Sequence, residues 1–196
     1  MRRAAVEQAS QSLDRARTSI QSMESATKLS EVEAAWSDFL TASHRLHSKL
    51  EQGAKDGNKS NNWWDGVKHQ RKTDPVLQYT HQARHVDEHG LAAITDRDPA
   101  SLALGVGPGT WMFDGKIGPG GVMKVTAMGG QVPGLSKFVE LKAASVKLVK
   151  VTNRGVTYDP PMGADGKPLT PTEAANLAFD HLARIVEEAK KFPERD

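Results

Sequence analysis

Val6, Ala9, Leu13, Ala16, Ile20 and Met23 recur at alternating spacings of three and four. That spacing lays one apolar stripe along a helix, and its small members let a neighbour approach closely. A second stripe runs through Val32, Ala35, Trp36, Phe39, Leu40, Ser43, Leu46 and Leu50. Ser30 opens it as a cap, with Glu33 as the returning acid. The two segments predict an antiparallel helical hairpin. The polar run EQGAKDGNKSNN, 51–62, predicts a helix end through Gly53 and Gly57 and then a loop. Trp63 and Trp64 follow directly and predict an anchor of that loop on the helices, stacking on a nucleobase being the other use of such rings. Asp74 as cap and Pro75 in the first turn start a third helix, whose apolar rhythm passes through Leu77, Thr80, Ala83, Val86, Leu91 and Ile94 to a close at Asp98 and Pro99.

From 103 to 135 the chain fills with glycine and proline, which forbids a long helix. Short strands are predicted over 110–113, 122–128 and 138–152, the last interrupted by a bulge near Ala143 and Ala144. Asn153, Arg154 and Gly155 predict a hairpin into 156–158, and Asp165 with Gly166 a second turn. Thr170, Pro171 and Glu173 supply a cap, a first-turn proline and a box acid for a final helix. Its stripe is Ala174, Leu177, Ala178, Leu182, Ile185, Val186 and Ala189. The expected fold is α+β: one helical domain over 1–196, resembling a four-helix bundle, with a small antiparallel β insertion at 103–160 between the third and last helices. The mixed element order argues against a parallel nucleotide-binding fold.

Composition narrows the chemistry. The chain has no cysteine, so disulfides, thiolate zinc sites and cysteine nucleophiles drop out. Its start, MRRAAVEQASQSLDRAR, lacks the apolar core of a signal peptide, and no apolar run reaches membrane-spanning length. The expectation is a cytoplasmic protein without a membrane partner. A formal charge of +2 does not by itself announce a nucleic-acid binder, but Lys49, Arg71 and Lys72 lie in one basic stretch and Lys142, Lys147 and Arg154 in another. Such groups serve either as a field for phosphate or as a solubilising surface. GVGPGTW carries neither the lysine nor the hydroxyl residue of a phosphate-binding loop, and HEXXH is absent.

The densest chemistry lies in RKTDPVLQYTHQARHVDEHGL, 71–91, where the third helix carries His81, Arg84, His85, Asp87, Glu88 and His89. Arg84 and His89 match R-x4-H, and the polar residue directly after the arginine is His85. This pattern resembles the short signature of the HEPN superfamily, many of whose members are small helical ribonucleases or toxins. The resemblance covers mainly 1–100 and 170–190, leaving the strand-rich stretch as an insertion. It implies metal-independent RNA cleavage through the 2'-hydroxyl at a composite site of a homodimer, with Arg84, His89 and His85 as the catalytic group. It also implies toxicity and a neutralising partner protein.

The residues themselves suit that chemistry. An imidazole titrates in the range needed for proton transfer, and a guanidinium offers phosphate a rigid fork. At about 100 degrees per residue, Arg84 and His89 stand about 140 degrees apart on the helix, so they share a site only in a broad groove or with a second chain alongside. Glu88, His81 and Asp87 are supporting candidates, and Arg71, Lys72, Trp63, Trp64 and Lys49 are substrate-binding candidates. Two other readings stay open. His81, His85 and His89, with Asp87, Glu88, His44 or His47, offer the donor types of a divalent metal site. Alternatively, the row is the polar face of a structural or interaction helix, with Arg84 paired to Glu88 one turn on.

Overall fold

The structure, a computed structural model, describes residues 1–55, 57–90, 92–104, 112–117, 123–129 and 139–192, and for 101–104, 112–117, 123–129 and 139–142 describes the backbone alone. Among the described residues there are five helices, α1 (Arg3–Ser25), α2 (Leu29–Ala54), α3 (Asn58–Thr73), α4 (Pro75–His89) and α5 (Pro171–Lys190). The strands are β1 (Thr95–Asp98), β2 (Ser101–Leu104), β3 (Met112–Ile117), β4 (Met123–Gly129), β5 (Val139–Lys142), β6 (Ser145–Leu148), β7 (Val151–Asn153) and β8 (Val156–Tyr158). They pair as two-stranded antiparallel sheets, β1 with β6, β2 with β5, β3 with β4 and β7 with β8. The α+β class follows.

The α1 stripe is buried as predicted at Ala9, Leu13, Ala16, Ile20 and Met23, against the buried Ala35, Trp36, Phe39, Leu40, Leu46 and Leu50 of α2. At the base of the hairpin the Arg2 amide donates to the Gly53 carbonyl at 3.1 Å. The helix ends one residue later, between Gly53 and Gly57 as expected, and Gly53 itself serves close packing. A Cβ on Gly53 would sit 2.5 Å from the Ala5 Cβ. The cap of α2 lies elsewhere than predicted. The helix begins at Leu29, and the Glu31 carboxylate accepts from the Thr27 and Lys28 amides at 2.9 and 3.1 Å. Glu33 instead meets the Arg97 guanidinium of β1 in a two-pronged pair at 2.8 and 2.6 Å.

The predicted loop over 51–62 is the largest correction. Helix α2 continues to Ala54 and α3 starts at Asn58. Ser60 clasps the short break, its hydroxyl donating to the Ala54 and Gly57 carbonyls at 2.8 and 2.9 Å. Ser60, Trp64 and Val67, spaced four and three apart, form the narrow buried stripe of α3. Trp63 does anchor the segment, its indole donating to Glu188 of α5 at 2.8 Å and its ring lying 5.4 Å from that of Phe192.

Helix α4 is shorter than its apolar rhythm suggested. It ends where the Gly90 amide donates to the Val86 carbonyl at 2.7 Å. Ile94 is buried, but it leads into β1, which pairs with β6 in the register Thr95 to Leu148. The expected strand over 138–152, of which residue 138 lies outside the described residues, is three strands. The interruption anticipated at Ala143 and Ala144 is where the chain leaves the β2 partner (β5) for the β1 partner (β6). The two predicted turns are present, with Arg154 and Gly155 at φ 51 and 79 and Gly166 at φ 75.

Residues 145–153 are tied to the helices. Val146, Leu148 and Val151 are buried, the Tyr79 hydroxyl donates to the Val149 carbonyl at 2.7 Å, and Asn153 donates to Gln82 at 2.8 Å. Helix α5 opens with Thr170 and Glu173 exchanging hydrogen bonds. Its buried face matches the predicted stripe except at Leu177, which is 52% exposed, while Ala175 and His181 are buried. Among the described residues no helix is long and apolar enough to cross a membrane.

Candidate functional site

Helix α4 is built to hold one face firmly. The Asp74 carboxylate accepts from the Val76 and Leu77 amides at 2.9 and 3.0 Å, satisfying two of the free donors of the first turn. Leu77, Tyr79, Thr80, Ala83 and Val86 are buried, which leaves His81, Arg84, His85, Glu88 and His89 along one flank and its outer end.

Glu88 joins the two residues of the R-x4-H motif. One carboxylate oxygen pairs with the Arg84 guanidinium, and the other lies 3.5 Å from His89 Nε2. The angular separation of Arg84 and His89 is thus bridged by a side chain between them. The Arg84 side chain is only 13% exposed, whereas that of His89 is 70% exposed. The result is a chain of guanidinium, carboxylate and imidazole running from the helix interface to solvent. His85 stands beside it, its ring 6.4 Å from His89, 4.7 Å edge-on from His81 and 6.2 Å from His44 of α2. Asp87 lies apart and accepts from the Ser37 hydroxyl of α2.

Deeper in, the imidazoles are held neutral. Burial, with Arg71 nearby, lowers the His47 and His81 pKa values to about 3. Burial and Arg184 lower that of His181 to about 4. Burial and Arg84 likewise lower those of His44 and His85. Arg71 is itself largely covered, and burial lowers its pKa against the opposing pull of Glu51. His47 and His181 stack at 6.2 Å, and His47 lies 6.1 Å from the Trp64 ring.

The remaining predicted residues are spread out. Trp64 is buried and offers no face to a base, Trp63 is half-buried against α5, Lys49 is half-buried on α2, and Lys72 is exposed at the end of α3. Among the described residues no three His, Asp or Glu side chains are grouped to hold one metal ion. His181 received no role from the sequence, yet it completes the inner cluster. The available signal was its position within the apolar stripe of α5, four residues before Ile185. Compared with family models, with curated proteins and with solved structures, the chain matches none.

Proposed function

We propose that this protein is a metal-independent, HEPN-like ribonuclease that cleaves RNA by attack of its own 2'-hydroxyl. One observation carries the reading: a single carboxylate, Glu88, touches both Arg84 and His89. In this reading α1, α2, α4 and α5 act as a four-helix bundle, with α3 and the strand pairs appended. Two copies meet about α4, so that each supplies a guanidinium and an imidazole to one phosphate.

The reaction forms a bond from the 2'-oxygen to phosphorus and breaks that from phosphorus to the 5'-oxygen. One imidazole takes the 2'-hydroxyl proton, and the second, from the other copy, protonates the leaving oxygen. Arg84 stabilises the charge on the phosphoryl oxygens, and Glu88 orients it. His85 lines the approach, and Arg71, Lys72 and Lys49 contribute positive field. A cytoplasmic setting and a neutralising partner protein accompany the same reading.

A second reading, a non-catalytic structural or interaction helix, draws on the coverage of Arg84 and its pairing within its own helix. One experiment separates the two. Unstructured RNA is incubated in chelator with the wild type and with an Arg84→Ala, His89→Ala double variant whose helicity is checked by circular dichroism. Cleavage by the wild type alone supports the enzyme, and equal behaviour of the two proteins eliminates it.

A further inference from the structure

The ion pair with Glu88 accounts for only the outward side of Arg84. Its Nε is buried and has no hydrogen-bond partner among the described residues, and the same is true of His44 Nδ1 and His47 Nε2. Arg84, His44 and His47 all line one cavity of about 10 Å³, together with Ser43, Arg71 and His81. Three unpaired polar atoms in a covered interior each cost free energy, and native proteins satisfy nearly all such atoms.

The bonding roles of two of these atoms are fixed. Arg84 Nε–H can only donate. His47 Nδ1 lies 2.9 Å from the Ser43 carbonyl oxygen, which can only accept. Nδ1 therefore carries the ring proton, and in the neutral ring Nε2 is a bare acceptor. Burial keeps this ring neutral. The residues that carry this donor and this acceptor line one cavity, and a water molecule in it can serve both. The volume stands at the lower limit for one water, which needs two to four polar partners.

We propose that this cavity is a binding site for a single water, which accepts from Arg84 Nε and donates to His47 Nε2 and His44 Nδ1. The two α2 histidines thereby become positioning residues for a guanidinium on α4. His44 then carries its proton on Nε2. Arg84 is held from both sides, by Glu88 at the surface and by the water from within, so its fork keeps one orientation. The value of that orientation to phosphate binding rests on the ribonuclease reading, but the water site does not.

Nitrogen-15 NMR of the full chain tests the site directly. Expected are His47 protonated at Nδ1 and an Arg84 Hε that exchanges slowly and shows a contact to a long-lived water. His47 protonated at Nε2, or no water contact at Arg84 Hε, overturns the proposal. His47→Gln, whose amide oxygen can accept from the water, should keep the contact, and His47→Met, with no comparable acceptor, should lose it. Both variants keeping it would remove His47 from the arrangement. In RNA cleavage, His47→Met should lower kcat on the order of tenfold with KM unchanged, and His47→Gln should restore it. A wild type without cleavage would sink the ribonuclease reading, while the NMR result would still decide the water.

Discussion

Two glycines in helices show how packing outweighs intrinsic preference. Gly53 lies in α2 where an added Cβ would meet the Ala5 Cβ at 2.5 Å and the Met1 Sδ at 3.1 Å, whereas Gly66 in α3 has nothing within 4 Å. Alanine favours a helix over glycine at both sites, but at Gly53 the α1 backbone would have to retreat. Gly53→Ala should therefore destabilise the fold by about 1 to 3 kcal/mol, as overpacking does. Gly66→Ala should stabilise it by about 0.5 to 1 kcal/mol. Urea denaturation of the two variants decides the matter, and a stabilised Gly53→Ala would refute the close approach of α1 to α2. The R-x4-H residues obey the same distinction between local and distant causes. That Glu88 reaches Arg84 could be read from a spacing of four. That Arg84 is largely covered depends on α2 and α3 packing beside it.

Helix ends were legible where the signal is local. Asp74 with Pro75, and Thr170 with Pro171 and Glu173, act within one turn, and both helices start there. Ser30 and Glu33 have the same spacing, yet Glu31 satisfies the amides of 27 and 28 and Glu33 is drawn off by Arg97 of β1, 64 residues away. Thr170→Ala should thus cost about 1 kcal/mol, while Ser30→Ala should change stability by less than about 0.5 kcal/mol. Equal losses in thermal unfolding would restore Ser30 as the cap. Helix α3 was illegible for a different reason. Only Ser60, Trp64 and Val67 of its residues are buried, a stripe too narrow and too polar to declare a helix until the other helices are there to cover it. Pairing of β1 with β6 joins segments about fifty residues apart, a separation that alternation within either segment cannot reveal. The inner histidines fall in the same class, since each lies on an unremarkable helical face until three helices converge on them.

At the scale of the molecule, that convergence couples stability to protons. His47, on α2, is 6% exposed, and its surroundings are Arg71 from α3, His81 from α4 and His181 from α5. His181 is 7% exposed, and Arg184 and Arg71 oppose its charge while Asp74 and Glu188 favour it. Their folded pKa values, about 3 and about 4, lie below the ordinary histidine value of 6.5. Between those limits the unfolded chain binds the protons that the folded chain refuses. The stability contributed by the neutral rings is therefore complete above about pH 6.5 and is lost as pH falls towards the folded values. Each such histidine lowers the unfolding free energy by about 1.4 kcal/mol per pH unit within the window. Two together approach about 3 kcal/mol per unit once the pH is about one unit below 6.5, enough to threaten a domain of ordinary stability near pH 5. Glu31, Glu33 and Asp96, whose pKa values are lowered by hydrogen bonds and ion pairs, act in the same direction but only below the usual carboxylate range. Urea titrations at pH 7.5, 6 and 5 should show a falling midpoint, and His47→Gln should flatten the slope by about one proton. A midpoint unchanged from pH 7.5 to 5 would mean that these rings take up protons as readily in the fold as outside it, and the sealed cluster would have to be abandoned.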